Sequence, residues 1–128
     1  MKKIVVSVQN SLLAEMLTFN LLESGEFMPQ RCLFEKADEE YDNCRLLSAD
    51  ILLMEVSYTP ATTLENRMRD VERVRKTVPG CKIVLLCDEN SAPNIAHEVA
   101  KAKQDGVIDG FFYSSVGAKY LIAALNAL

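Results

Sequence analysis

Two side chains at the ends of predicted strands have the chemistry for a functional site, the carboxylate of Glu55 and the thiol of Cys87. Each closes a short apolar run, residues 51–54 and 83–86 respectively, of the kind typical of a strand buried on both faces. In open α/β sheets, ligands bind at the carboxyl ends of such strands. A carboxylate there can join Asp88 in a cation site, and a thiol close to a helix start can act as a nucleophile.

The sequence shows no partner that would make either group reactive. His97 falls inside the helix predicted after Cys87, and no base is placed beside the thiol. A buried structural cysteine is therefore favoured for Cys87, and a solvated or hydrogen-bonded strand-end carboxylate for Glu55. An enzyme has the weakest support, because no convergent set of acid, base and nucleophile is visible.

Length and composition describe one folded domain. The 128 residues can bury a real core, and 49% hydrophobic with 25% charged residues is ordinary for a globular protein. The net charge of −4 gives no reason to expect direct binding to nucleic acid or to an anionic membrane. No apolar run approaches the roughly 20 residues of a membrane span, and no signal peptide is visible, so a cytoplasmic protein is predicted.

Cysteine spacing argues against a metal centre and against disulfides. The four cysteines form no CxxC pair, and only one histidine is available to complete a metal set. Reduced, buried thiols are predicted instead, at Cys32, Cys44, Cys81 and Cys87.

Strand and helix signals alternate along the whole chain. Strands are predicted at residues 3–8, 31–34, 51–56, 83–86 and 111–113. Helices are predicted after each strand. The first, third and fifth span residues 11–24, 64–76 and 116–128. The second begins in the acidic stretch 35–42 and ends at 47, and the fourth is capped by residues 88–91 and ends at about 103. Apolar strands covered on both sides predict parallel pairing and right-handed crossovers, hence a three-layer (βα)5 α/β domain.

The third predicted helix has a clear apolar stripe and a charged remainder. Its stripe is Leu64, Met68, Val71 and Val74, and Arg67 is assigned with the other charged residues to the exposed face. A mixed-sign face of this kind is typical of solvated helix surface.

The order of elements and three segments resemble the receiver domain of bacterial two-component response regulators. The segments are residues 49–56 (ADILLMEV), similar to the family's phosphorylation strand, residues 11–24 as its first helix and residues 109–112 (DGFF) as its last strand. The likeness covers essentially the whole chain. It implies a flavodoxin-like sheet of order 2-1-3-4-5, with the site where strands 1, 3 and 4 end.

The family's chemistry, phosphoryl transfer to an aspartate assisted by Mg²⁺, requires residues that this sequence lacks. The resemblance places Glu55 at the phosphoacceptor position, Gln9 and Asn10 at the acidic pair, Cys87 at the hydroxyl, Ser114 (Tyr113 if the register slips) at the lysine, and Ser115 at the proline that follows it. Mg²⁺ affinity follows the charge of its oxygen ligands. A degenerate receiver without magnesium, other metal or cofactor is therefore predicted, one that is not phosphorylated in the family's manner.

Several functional readings follow from the resemblance. It implies a homodimer, or docking to a regulatory protein, through the face formed by helix 4, strand 5 and helix 5, and it places Phe111 at the family's aromatic switch. Glu55 is open between a structural carboxylate and an imitation of phosphoaspartate. A small-ligand-binding domain and a phosphorelay with a shifted acceptor are the alternatives. Whether the chain is a stand-alone protein or belongs to a longer regulator, commonly one with a DNA-binding output domain, is also open.

Overall fold

The computed structural model describes residues 1–57, 59–87 and 93–128, and within them strands and helices alternate. The strands are β1 (Lys2–Ser7), β2 (Phe27–Arg31), β3 (Ile51–Val56), β4 (Lys82–Cys87) and β5 (Gly110–Tyr113). The helices are α1 (Ser11–Ser24), α2 (Glu39–Leu47), α3 (Leu64–Thr77), α4 (Pro93–Gln104) and α5 (Ala118–Asn126), with a short 3-10 turn at Pro60–Thr62. Asp88 and the predicted cap at 88–91 lie outside the described residues.

All strand pairs are parallel and the sheet order is β2-β1-β3-β4-β5. Both faces of the sheet carry a core. Leu52 packs on one face with residues of α2, α3 and α4, and its neighbour Leu53 packs on the other with residues of α1 and α5. Phe111 and Phe112 divide between the same two cores, as side chains alternate along a strand. The predicted three-layer fold and its strand order are confirmed.

Local chemistry fixes both ends of α1. Asn10 caps its start, with the side-chain Oδ1 accepting a hydrogen bond from the backbone N–H of Leu13 at 3.0 Å. Gly25 ends it in the left-handed conformation, with φ of 73°. The resulting helix, Ser11–Ser24, matches the range predicted for it.

The position of β2 corrects one prediction. Residues 31–34 were assigned to this strand, whereas it spans Phe27–Arg31 and contains Pro29. A proline is tolerated there because β2 is the edge of the sheet. The N–H of Lys2 donates to the carbonyl of Glu26, and the N–H of Cys32 donates to the carbonyl of Val6. By the two-residue period of a strand, even-numbered residues face β1 and the nitrogen of Pro29 faces the open edge.

Burial confirms one prediction and overturns another. All four cysteines are buried, and none of them forms a disulfide in the described structure. Arg67, in contrast, was assigned to the exposed face of α3 and is only 2% exposed. Its guanidinium reaches inward to polar groups at the ends of two strands. None of the helices in the described ranges is long and apolar enough to cross a membrane.

Candidate functional site

Glu55 anchors a neighbouring loop. Its carboxylate oxygen Oε1 accepts hydrogen bonds from the backbone N–H groups of Gln9, at 3.0 Å, and Asn10, at 3.4 Å, where β1 leads into α1. The structure thus brings together three of the residues singled out from sequence. Backbone donors stabilise an ionised carboxylate, so Glu55 has the geometry of a hydrogen-bonded strand-end group.

The two amide side chains beside Glu55 are also engaged. Asn10 caps α1, and the side-chain oxygen of Gln9 accepts a hydrogen bond from the hydroxyl of Thr59 at 3.1 Å. Thr59 contacts the hydroxyls of Ser57, at 3.0 Å, and Thr62, at 2.6 Å. Gln9 therefore anchors the loop and Asn10 caps the helix.

The remaining predicted positions lie at the ends of β4 and β5. Cys87 is buried and pairs in register with Val56 and Tyr113. The backbone N–H of Ser114 donates to the carbonyl of Cys87 at 2.8 Å, and its side chain is exposed. The ring of Phe111 is partly buried and meets that of Tyr113 edge to face, with centroids 5.9 Å apart.

Arg67 links the carboxyl ends of β1 and β3. Its Nε–H donates to the carbonyl of Glu55 and an Nη2–H to the carbonyl of Ser7, both at 2.8 Å. Its Nη1 donates to the hydroxyl of Ser7, at 2.9 Å, and to Oε2 of Glu40, at 2.6 Å. The guanidinium therefore has four acceptors, one of which is a buried carboxylate from α2.

Glu40 is only half satisfied. Oε2 accepts hydrogen bonds from Ser7 and Arg67, whereas the buried Oε1 meets no donor in the part of the chain that the structure describes. Burial raises the pKa of Glu40 to about 7, and the nearby carboxyl of Asp70, within hydrogen-bonding reach, adds to the rise. Arg67 and Ser7 act in the opposite direction on this pKa but only partly offset it.

A cavity of about 120 Å³ adjoins Glu40, between the ends of β1 and β2 and the helices α2 and α3. Phe34 covers one side, with its ring centroid 5.7 Å from the guanidinium carbon of Arg67. Cys32 also lines the cavity, and burial raises the pKa of its thiol to about 12. The thiol is therefore kept protonated and unreactive at neutral pH.

Glu40, Arg67 and Ser7 were not predicted as a site, although the sequence contained a signal for them. Arg67 follows Leu64 by three residues and precedes Val71 by four, so helical spacing places it within the apolar stripe of α3. Glu40 precedes the buried Cys44 by four in the same way. Opposite charges inside the stripes of two helices indicate a buried ion pair. No group of three or more metal-ligating side chains arranged to hold a metal occurs within the described ranges.

No protein-family model matches the chain, and no curated protein matches it. Solved structures do. A response regulator from Desulfuromonas acetoxidans superposes with a TM-score of 0.74 at 16% identity, covering 99% of this chain and 95% of that one. The chemotaxis protein CheY4 of Vibrio cholerae gives 0.72 at 18% identity, covering 99% and 98%. The fold is the receiver fold.

A third receiver-fold relative carries a different role. It is described as belonging to a family of redox sensors in the streptococci that evolved from two-component response regulators. It matches with a TM-score of 0.72 at 17% identity, over 99% of this chain and 50% of that one. This chain therefore spans half the length of that sensor. Identities this low show the fold alone.

Proposed function

We propose that this receiver-fold domain acts in signal transduction or transcriptional regulation through protein–protein contacts, without aspartyl phosphorylation. The observation that carries the proposal is the engagement of Glu55 by the backbone N–H groups of Gln9 and Asn10. One oxygen of this carboxylate holds a loop in place. The side chains that flank it are neutral amides, where phosphoryl transfer would require acidic magnesium ligands.

The charges at these strand ends also oppose magnesium binding. A Mg²⁺ ion at a phosphoryl-transfer site is held by carboxylates and water. Glu55 is flanked by the neutral side chains of Gln9 and Asn10. The guanidinium of Arg67 donates a hydrogen bond to the backbone carbonyl of Glu55 at 2.8 Å. One carboxylate and two neutral amides supply less negative charge than a magnesium site needs.

Incubation with acetyl phosphate and Mg²⁺ is expected to leave the protein unmodified, because neutral side chains stand where magnesium ligands are needed and no lysine is present to contact the phosphoryl group. Intact mass spectrometry at intervals over an hour checks this, with a conventional receiver domain treated in parallel as the positive control. A stable, magnesium-dependent phosphoprotein, absent in Glu55→Gln, would contradict the proposal.

A homodimer through α4, β5 and α5 is the form of contact that we propose. Exposed apolar side chains on this face support the proposal. Tyr120 on α5 is 65% exposed, and its ring centroid lies 6.3 Å from that of Phe112. Tyr113 and Leu128 are also exposed. Large amphipathic rings of this kind dominate the energetics of interfaces. The outer face of α1 exposes apolar side chains too, including Phe19 at 60%.

Tyr120→Glu is expected to weaken the dimer at least tenfold, because a carboxylate replaces an aromatic anchor. Light scattering over a wide concentration range, coupled to gel filtration, measures this. Phe19→Glu is the matched control, since it makes the same chemical change at a comparably exposed ring on α1. A strictly monomeric protein, or dissociation by the Phe19 change alone, would overturn the assignment of this face.

A small-ligand-binding domain is the second candidate. The observation that favours it is the cavity beside Glu40, which contains a buried carboxylate oxygen without a donor.

A further inference from the structure

We infer that the cavity between β1, β2, α2 and α3 binds a small protonated amine, held by the carboxylates of Glu40 and Asp70. This inference names the ligand class for the second candidate function and does not rest on the proposal about phosphorylation and dimerisation. It starts from Oε1 of Glu40, on a residue that is 8% exposed. More than nine in ten buried polar groups have a hydrogen-bond partner, so an acceptor left open beside a cavity indicates a donor supplied from outside.

The two carboxylates beside the cavity call for a ligand that donates hydrogen bonds to both of them. Glu40 and Asp70 both line the cavity, and a carboxylate pair can bond only through an intervening proton or donor. An ammonium group has three N–H donors and no acceptor. One such group can donate to Oε1 of Glu40 and to Asp70 and still keep a third donor for water.

Most of the charged groups in the lining are already paired, which limits where a cation can bind. Arg73 forms an ion pair with Asp38. Each carboxylate oxygen of Glu39 accepts a hydrogen bond from a backbone N–H group. Arg67 is committed to four acceptors. The charged side chains around the cavity are Lys36, Asp38, Glu39, Glu40, Arg67 and Asp70, four acidic and two basic. What remains for a ligand is the open oxygen of Glu40 together with Asp70.

The volume of the cavity and the competing cations further restrict which ligands can bind. A volume of about 120 Å³ is slightly smaller than an engineered cavity of about 150 Å³ that binds benzene, so it can hold an amine of about four heavy atoms. A divalent metal fits less well, because the described residues provide no set of three ligands there. Lys36 lines the cavity, so its own ammonium repels an incoming cation or competes with it.

Protonation of Glu40 provides an independent signature. Burial raises its pKa to about 7, and an ammonium ligand binds the ionised carboxylate. Binding therefore displaces a proton, and affinity is expected to rise about tenfold between pH 6 and pH 8. A ligand held only by surface charge would show no such change.

Isothermal titration of the intact protein with ethanolammonium chloride tests the inference, at fixed ionic strength. We expect saturable one-to-one binding that is at least tenfold weaker for tetramethylammonium, which has the same charge and no N–H donor. Asp70→Asn is expected to weaken binding at least tenfold and Glu40→Gln to abolish it. Lys36→Met is expected to strengthen it. Glu65→Gln, an exposed change on the same helix as Asp70, is the matched control and should leave binding unchanged.

Equal binding of tetramethylammonium, or unchanged binding in Asp70→Asn, would overturn the inference. So would the absence of saturable binding by the wild-type protein at pH 8, which would mean that the cavity holds only water. Asp70 is half-buried and lies outside the Arg67 ion pair, so its variant keeps the test decisive if Glu40→Gln does not fold. Failure here leaves the phosphorylation and dimer experiments unaffected.

Discussion

Arg67→Met is expected to lower the free energy of unfolding by about 3–5 kcal/mol, the usual cost of removing one partner from a buried ion pair. Methionine keeps most of the aliphatic volume of the side chain on the buried face of α3. The loss therefore comes from the carboxylate of Glu40, which is left buried without its cation, and from the carbonyls of Ser7 and Glu55, which lose their donors.

Urea denaturation at pH 7 measures the change, with Arg69→Met as the matched control. Arg69 forms an exposed pair with Glu65 at 3.3 Å on the same helix, so its replacement should cost less than about 0.5 kcal/mol. The double variant Arg67→Met/Glu40→Leu should recover part of the loss, because it removes both charges together. A cost below about 1 kcal/mol for Arg67→Met alone would show that the pair is not buried in solution.

Glu40 is expected to contribute about 3 kcal/mol less to the free energy of unfolding at pH 7 than at pH 4.5. Burial raises the pKa of Glu40 from 4.5 to about 7, so in this window the folded protein holds a proton that the unfolded chain has released. The stabilising contribution is fully present below pH 4.5. It is lost as the folded carboxyl ionises.

Urea denaturation at pH 5, 6, 7 and 8, at constant ionic strength, resolves this component as the difference between wild type and Glu40→Gln. The variant should show a flatter profile, because the amide does not titrate. Glu65→Gln, which removes an exposed carboxyl from α3, should retain the wild-type slope. If the wild-type advantage over Glu40→Gln grows with pH, the direction of the pKa shift is wrong.

The scaffold was predictable because its signals are local. The apolar run of β3 gave the bounds Ile51–Val56 without error, and the ends of α1 follow from Asn10 and Gly25. Such patterns need only a few neighbouring residues. The site at Glu55 was partly predictable as well, since parallel strands bring the ends of β1 and β3 to one edge of the sheet.

The buried ion pair was missed because single-helix reasoning assigns charges to the surface. Glu40 and Arg67 lie on different helices, and neither position is acceptable in a core without the other. Their pairing becomes visible only once the sheet order sets α2 beside α3. β2 was misplaced for a related reason, because Pro29 argues against a strand until that strand is known to be an edge.

The orientation of Pro29 has a consequence for how copies of this domain can meet. With its nitrogen turned outward, the open side of β2 has no N–H donor at the middle of the strand, where an added strand would need one. A proline on an exposed edge is one of the means by which proteins block edge-to-edge polymerisation. Strand addition on this side is thus disfavoured, and high concentrations are not expected to yield fibres that grow through β2.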